Sequence, residues 1–223
     1  CAYKQLLIEA NRSVNLTSIT EDSEIAVKHF ADSLTCLRAV DLRNVTSIVD
    51  VGTGAGFPGL VLKIMNPAAR MLLIDSVGKK LDFVREVAAS LGLPDVESVQ
   101  ARAEELARRP RYRERFDLAV ARGVSSLSPL AEYCLPFVRL GGSFVAMKGP
   151  KVAQEIEAGA RAVTILGGGE LETCRLELPF GAGTRVLVSA RKRKSTPAQY
   201  PRRPGVPERR PLGEAEADRK SPG

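Results

Sequence analysis

Short runs of apolar, often β-branched residues alternate along most of the chain with longer stretches whose apolar residues recur at helical spacing. The short runs, which have the length and composition of buried strands, are SIVDVG (47–52), MLLIDS (71–76), VESVQAR (96–102), FDLAVAR (116–122) and SFVAMKG (143–149). The longer stretches predict helices at about 58–66, 78–92, 103–108, 125–138 and 150–166. This alternation indicates right-handed crossovers and a parallel sheet covered by helices on both faces.

The pattern changes after the last of these helices. LETCRLELP (171–179) and TRVLVSARK (184–192) are consecutive strands separated only by FGAG, so we expect an antiparallel hairpin at the sheet edge. The predicted fold is therefore α/β, with a mostly parallel seven-stranded sheet. This is the layout of Rossmann-like class I methyltransferases that use S-adenosylmethionine (SAM), whereas dinucleotide-binding domains normally finish with a sixth parallel strand.

Composition divides the chain into three segments. Residues 1–44 form an N-terminal helical segment, in which Val27, Phe30, Leu34 and Leu37 share one predicted helix face. Residues 45–193 contain the alternating strands and helices and form the predicted SAM-binding domain. Residues 194–223 are rich in Pro, Gly and charge, so we expect this tail to be extended or mobile unless a partner orders it.

The overall composition is that of a globular protein. The chain has 223 residues, 44% of them hydrophobic, and no apolar run approaches the length of a membrane span. Its first residues lack the basic and apolar regions of a signal peptide, so we expect a cytoplasmic protein without membrane association. The cysteines, at positions 1, 36, 134 and 174, are scattered singly, which favours reduced thiols and predicts no metal site.

The positive charge is concentrated near the C-terminus. The formal net charge is +7, and the segment from Arg191 onward holds ten Lys/Arg against four Asp/Glu. An arginine cluster, RRPRYRER (108–115), adds a second basic stretch. A nearly neutral body with a basic arm favours binding to a polyanion, and we expect nucleic acid.

The stretch DVGTGAGFPGL (50–60) stands where the first predicted strand turns into a helix, at the edge where open parallel sheets bind ligands. Two interpretations are open. A dinucleotide site would use Gly54, Gly56 and Gly59 to bring a pyrophosphate to the helix N-terminus. A SAM site would use Gly52, Gly54 and Gly56 to let the amino-acid part of the cofactor lie on the backbone, with Asp50 near its ammonium group.

Carboxylates at the ends of the next two strands extend this candidate site. Asp75 ends the second strand, where either cofactor needs an acceptor for ribose hydroxyls, so it does not discriminate between them. In methyltransferases the residues after the third strand hold the adenine, and RAEEL places Glu104 or Glu105 there. With the terminal hairpin and the basic tail, this favours SAM over NAD.

The sequence resembles the bacterial small-subunit ribosomal RNA guanine-N7 methyltransferase family (RsmG, also called GidB) over nearly its whole length. The matching segments are NLTSI (15–19), HFADSL (29–34), DVGTGAGFPG (50–59), LIDS (73–76), RAEEL (102–106), ARGVSSLSPLAEYCLP (121–136), GGSFVAMKG (141–149) and TPAQYPRRPGVPERRPL (196–212). The glycine loop alone would be weak support. The segments outside the nucleotide core, in the same order, make the resemblance specific.

The resemblance implies an enzyme that uses SAM to methylate N7 of a guanine in 16S ribosomal RNA, with the RNA or the small ribosomal subunit as partner. It also implies cofactor contacts at Gly52 and Phe57, at Asp75 for the ribose, at Ala103 and Glu104 near the adenine, and at Arg122. We expect a monomer. The alternatives are an RNA-binding module that keeps a vestigial SAM pocket, and an NAD-dependent oxidoreductase.

Several polar residues have an open role. Guanine N7 carries a lone pair and no proton, so methylation there requires no general base and we assign none. His29 and Asp32 lie on one predicted helix and either pack locally or contact SAM or RNA. Arg122 ends an apolar strand and points into the crevice, where its alternative role is a salt bridge to Asp50 or Glu104.

Four residues are candidates for RNA contact. Lys148, at the end of the fifth strand, is placed to reach an RNA phosphate. In the tail, Tyr200 beside Arg202 and Arg203 combines an aromatic face with cations, as single-stranded RNA binding prefers.

Overall fold

A mixed seven-stranded sheet forms the centre of the protein, in a computed structural model that describes residues 2–214. The strands are β1 (Ser47–Val51), β2 (Arg70–Asp75), β3 (Val96–Gln100), β4 (Phe116–Arg122), β5 (Val138–Lys148), β6 (Glu172–Glu177) and β7 (Thr184–Arg191). Their spatial order is β3-β2-β1-β4-β5-β7-β6. Strands β1 to β5 are parallel, β7 is antiparallel to β5, and β6 pairs with β7 as the predicted hairpin. The predicted fold class is confirmed.

Helices cover both faces of this sheet. They are α1 (Ala2–Ala10), α2 (Asp22–Ile25), α3 (Asp32–Leu34), α4 (Gly59–Met65), α5 (Gly78–Ser90), α6 (Ala103–Leu106), α7 (Leu127–Cys134), α8 (Ile156–Ile165) and α9 (Val206–Arg209). One core lies between the sheet and α6, α7 and α8, and a second lies between the sheet and α1, α4 and α5. Because both faces are covered, the central strands are apolar throughout, which is why they were recognisable as short apolar runs.

The N-terminal segment packs into the second core. Tyr3 and Leu7 of α1 are buried, and the Tyr3 hydroxyl donates a hydrogen bond of 2.6 Å to the carbonyl oxygen of Ala55 in the glycine loop. The Tyr3 ring also stacks on Phe57 at a centroid distance of 5.0 Å. Residues near the N-terminus therefore support the loop that follows β1.

The segment predicted to present Val27, Phe30, Leu34 and Leu37 on one helix face is helical, but its buried face differs from the prediction. Helix α2, a π-helical turn (Ala26–Ala31), α3 and a 3₁₀ turn (Thr35–Arg38) follow one another without a break. Leu34 and Leu37 are exposed, whereas His29 and Asp32 are buried. The polar face points inward because Asp32 receives hydrogen bonds from arginines of β4 and β7, which offset the cost of burying its charge.

The first part of the C-terminal tail is packed on the domain, so the prediction of an extended or mobile tail is wrong for residues 194–214. Thr196, Pro201 and Pro207 are buried. Arg108 and Arg113 of the arginine cluster donate hydrogen bonds to backbone carbonyl oxygens of the tail. Backbone carbonyls supply these acceptors whatever the side chains are, so composition gave no sign of them. Residues 215–223 lie outside the described residues.

Two further features bear on the expected class of protein. No helix within residues 2–214 combines the length and hydrophobicity needed to cross a membrane. Cys36 and Cys134 are buried and Cys174 is partly buried, and all three are free thiols, as predicted; Cys1 lies outside the described residues.

Candidate cofactor site

A pocket of about 170 Å³ opens at the carboxyl ends of β1, β2 and β3. Its lining residues come from these strand ends, from α7 and from the tail: Val51, Gly52, Ile74, Asp75, Ser76, Ala101, Arg102, Ala103, Glu104, Val124, Tyr133, Gly205 and Glu208. Four of the predicted cofactor residues therefore meet here, namely Gly52, Asp75, Ala103 and Glu104.

Asp75 is held in place by the backbone around it. Its Oδ2 accepts a hydrogen bond from the N–H of Gly54 at 3.0 Å, and its Oδ1 accepts one from the N–H of Val77 at 2.9 Å. A carboxylate has about four lone-pair positions, so each oxygen keeps one acceptor position free. Asp75 is only 8% exposed, and its remaining acceptor capacity faces the pocket that it lines. This suits a ligand that presents two hydroxyl donors.

The glycine loop adopts a backbone conformation that other residues rarely reach. The φ angles of Gly52, Gly54 and Gly56 are +72°, +56° and +91°. A Cβ on Gly52 would lie 2.5 Å from the side chain of Val124, whereas a Cβ on Gly54 would meet no atom within 4 Å. A Cβ on Gly56 would clash with the Tyr3 hydroxyl. The loop therefore leaves open space only in front of Gly54, which adjoins the pocket through its hydrogen bond to Asp75.

The N–H groups at the start of α4, which would bind a pyrophosphate, are already bonded within the protein. The N–H of Gly59 donates to Asp50 Oδ2 at 2.9 Å, so a carboxylate already occupies the anion position at the start of α4. The N–H groups of Gly56 and Leu60 donate to backbone carbonyls at 2.9 and 2.8 Å, and Pro58 has no N–H. This arrangement argues against the dinucleotide interpretation of the glycine motif.

Asp50 is fully buried and does not line the pocket. Burial raises the pKa of its carboxyl group to about 6, although hydrogen bonds from Thr53 and Gly59 and the charge of Arg122 oppose this. Its Oδ1 has no hydrogen-bond partner among the described residues. Asp50 thus anchors the loop through one oxygen, and its predicted contact with the cofactor ammonium stays a prediction.

Arg122 and Asp32 form a buried ion pair beyond the loop. The Arg122 Nη1 lies 2.9 Å from Asp32 Oδ2, and Arg185 Nε lies 2.7 Å from Asp32 Oδ1. The Asp32 side chain is 1% exposed and the Arg122 side chain 16%. The salt bridge considered for Arg122 therefore exists, but its partner is Asp32 rather than Asp50 or Glu104.

His29 and Phe57 belong to the same cluster. Their rings stack at a centroid distance of 4.7 Å, and His29 Nδ1 lies 3.2 Å from Arg122 Nη2. Burial and the Arg122 charge lower the pKa of His29 to about 4, so the ring is neutral near pH 7. Phe57 is 3% exposed and packs between His29 and Tyr3 instead of lining the pocket. Cofactor contacts at Phe57 and Arg122 stay predictions.

Two of the four predicted RNA-contacting residues are engaged inside the protein. Lys148 Nζ lies 2.8 Å from Glu155 Oε2, and Arg202 Nη2 lies 2.6 Å from Oε2 of the buried Glu132. Tyr200 is half-buried against the first core. The Arg203 side chain is exposed and has no hydrogen-bond or ion-pair partner among residues 2–214. Of the four candidates, Arg203 is therefore the one with an exposed and unpaired charge.

Sequence reasoning missed the residues that close the pocket on its outer side. Tyr133 is 8% exposed, and burial together with the nearby carboxylates of Glu208 and Glu104 raises the pKa of its hydroxyl. Gly205 and Glu208 come from the tail. The segments that contain these residues matched the family pattern, but nothing in their spacing indicated that the tail returns to the strand ends.

The lining of the pocket fits SAM better than NAD. Asp75, Glu104 and Glu208 bring carboxylate acceptors, and Arg102 is the basic residue among the lining residues. Such a lining suits hydroxyl and amino donors and a positively charged sulfonium, and it repels a pyrophosphate. A larger cleft of about 540 Å³ opens near Asp117 and Arg139, but it lies at the amino ends of the strands, away from the edge where such sheets bind nucleotide ligands.

Solved structures with similar folds include SAM-dependent methyltransferases. A SAM-dependent O-methyltransferase from Thermotoga maritima aligns with a TM-score of 0.58 at 16% identity, covering 84% of this chain and 71% of that one. A predicted O-methyltransferase from Agrobacterium tumefaciens aligns with a TM-score of 0.59 at 20% identity, covering 72% and 80% of the two chains. At these identities the likeness shows the shared fold.

Sequence comparison identifies the family. Residues 1–179 match the family described as "GidB: rRNA small subunit methyltransferase G". The chain is 53% identical to ribosomal RNA small subunit methyltransferase G of Pelotomaculum thermopropionicum, over 94% of this chain and 88% of that protein. It is 48% identical to the Moorella thermoacetica protein of the same name, over 95% and 88%. The chain therefore belongs to the GidB family of rRNA small subunit methyltransferase G.

Proposed function

We propose that the protein transfers a methyl group from SAM to N7 of a guanine in 16S ribosomal RNA. The observation that carries the proposal is the chemistry of the pocket. It presents carboxylate acceptors at the carboxyl ends of the strands, while the helix N–H groups that a pyrophosphate would need are already bonded. Membership of the family supports ribosomal RNA as the substrate, and this substrate supports the proposal that the protein acts in the cytoplasm.

The residues of the pocket divide the binding of SAM between them. Asp75 has one free acceptor position on each oxygen for the ribose hydroxyls. Ala103 and Glu104 line the same pocket at the tip of β3, where the adenine is expected. Gly54 leaves open space in front of the backbone beside this site, which suits the close approach of the amino-acid part.

The reaction needs orientation more than proton transfer. SAM supplies an electrophilic methyl carbon on a sulfonium, and guanine N7 attacks with a lone pair that carries no proton. Holding the two partners in line contributes on the order of 7–11 kcal/mol. His29, the single histidine of the chain, has a pKa of about 4 and is held by Thr17 and Arg122, in keeping with a positioning role.

The RNA surface is proposed to lie at the rim of the same edge. Arg203 is exposed in the tail, near the residues that close the pocket, and is suited to a phosphate contact. Lys148 and Arg202 are already paired, so they would contribute to RNA binding only by exchanging an internal carboxylate for a phosphate. Tyr200 would have to leave its packed position to stack on a base.

Methyl transfer from SAM labelled in the methyl group tests the proposal. The protein is incubated with unmodified small-subunit RNA or small subunits, and with large-subunit RNA as the control. Label should enter the small-subunit RNA alone. If SAM binds but no RNA accepts the methyl group, the vestigial-pocket alternative is correct. If NAD binds and SAM does not, the oxidoreductase alternative is correct.

A further inference from the structure

The tail forms one wall of the cofactor pocket. Gly205 and Glu208 line it together with Asp75 and Glu104, which lie at the ends of different strands. The N–H of Gly205 donates a hydrogen bond to Glu104 Oε1 at 3.1 Å. Glu104 is 3% exposed and stands where the adenine end of the cofactor is expected. The tail is therefore joined directly to a residue of the proposed adenine site.

The tail is fixed beside the pocket by a buried carboxylate. Glu132 of α7 is 0% exposed, and Arg202 satisfies it with both side chain and backbone. The Arg202 N–H lies 2.6 Å from Glu132 Oε1, and Nη2 lies 2.6 Å from Oε2. A buried carboxylate without a partner is strongly unfavourable. Glu132 thus holds the tail in this position, next to Tyr133 in the pocket wall.

The arginine cluster also holds the tail. Arg113 donates to the carbonyl oxygens of Tyr200 and Thr196, each at 2.8 Å, and Arg108 donates to that of Pro201. These bonds engage two cations that the sequence suggested for polyanion binding. They fix the residues just before the turn that leads to Gly205.

Glu208 brings a charged acceptor to the pocket. It is exposed and lies beside the Tyr133 hydroxyl, and the two residues line the pocket together. Adenosine offers donors at its ribose hydroxyls and at its exocyclic amino group. Asp75 is the proposed ribose acceptor, so a second carboxylate in the same pocket is suited to the remaining donors.

We propose that the tail segment 200–208 is the outer wall of the cofactor pocket, that Glu208 is a binding residue for the adenosine part of SAM, and that cofactor binding and docking of this segment stabilise each other. The proposal rests on the proposed use of SAM. It assigns the packed tail a role in cofactor binding, in place of the independent RNA-binding arm expected from its composition.

Calorimetry with S-adenosylhomocysteine, the demethylated product, tests the wall. Glu208→Ala should weaken its affinity by about tenfold or more, as expected for the loss of a charged acceptor, and Arg202→Ala should do the same by releasing the segment. The matched control is Lys194→Ala, which removes an exposed tail cation that lies outside residues 200–208 and does not line the pocket, and its affinity for the ligand should equal that of the wild type.

Amide hydrogen exchange on the full wild-type chain provides a second measurement, which does not depend on how well the variants fold. Exchange in residues 200–208 should slow when S-adenosylhomocysteine is added. If the wild type binds this ligand while exchange in the segment is unchanged and Glu208→Ala binds equally well, the inference is wrong and the proposed function stands. If the wild type does not bind it, the proposed function fails and the inference fails with it.

Discussion

Replacing Asp75 by asparagine removes one charged acceptor from the centre of the proposed site. Each Asp75 oxygen accepts one backbone N–H, at 3.0 Å from Gly54 and 2.9 Å from Val77, and keeps one acceptor position for a ribose hydroxyl. An asparagine amide accepts through a single oxygen. A hydrogen bond to a charged group contributes about 1.5–3 kcal/mol, so one lost contact corresponds to about a 10- to 150-fold weaker Kd for SAM.

The assay is calorimetric titration of SAM and S-adenosylhomocysteine, with thermal unfolding measured on the same samples. Asp117→Asn is a matched control, because Asp117 is a buried carboxylate that accepts N–H groups of Thr46 and Ser47 at the opposite ends of the strands. Asp117→Asn should lower stability and leave cofactor affinity unchanged. A folded Asp75→Asn variant that binds both ligands as the wild type does would refute the assignment of Asp75 to the ribose.

Three further substitutions test the loop and the buried cluster. Gly54→Ala and Gly92→Ala each add a Cβ at a position with positive φ (+56° and +61°), where no other atom lies within 4 Å. Both variants should therefore lose about 1–2 kcal/mol of stability from backbone strain alone. In a titration, only Gly54→Ala should weaken SAM binding. Asp32→Asn removes a buried anion that two partly buried guanidinium groups share, and it should lower the free energy of unfolding in urea by about 3–5 kcal/mol. A loss no larger than that of the exposed control Asp41→Asn would contradict this. The pKa of His29 is lowered to about 4, so the stability that the neutral ring contributes is present above its ordinary pKa of 6.5 and is lost as the pH falls from 6.5 toward 4. In urea unfolding, His29→Gln should show a smaller loss of stability over this pH range than the wild type. Equal pH profiles for the two proteins would exclude this contribution from His29.

The central fold was predictable because its strands are buried on both faces. A strand such as β1, in which every residue is buried, has to be apolar on both sides, and its sequence is therefore a short apolar run whatever its neighbours are. The loop after β1 was predictable because its backbone conformation restricts the sequence. Positive φ angles at positions 52, 54 and 56 favour glycine, and glycine stands at all three. The antiparallel hairpin followed from the short connection between its strands.

The predictions failed where long-range polar contacts decide the structure. The inward face of the helical segment at 22–38 carries His29 and Asp32 because Arg122 and Arg185, far along the chain, pair with Asp32. Periodicity of apolar residues cannot detect such a face. The tail was misjudged for a related reason, since Arg202 is satisfied by Glu132, and that pairing depends on the fold.

The site was predictable at its strand ends and not at its outer wall. Gly52, Asp75, Ala103 and Glu104 follow consecutive parallel strands, and the carboxyl ends of such strands meet at one edge. Tyr133 and Glu208 join them only because α7 and the tail pack against that edge. Their place in the pocket requires the three-dimensional structure.

The central claim, methylation of guanine N7 with SAM held in this pocket, is tested most directly by identifying the methylated nucleoside. Small-subunit RNA that lacks the modification is incubated with SAM and either the wild-type protein or Asp75→Asn, digested to nucleosides and analysed by mass spectrometry. The account predicts 7-methylguanosine from 16S RNA with the wild-type protein and strongly reduced formation with the variant. A methyl group on another atom or nucleoside, or equal product from the two proteins at limiting SAM, would contradict it.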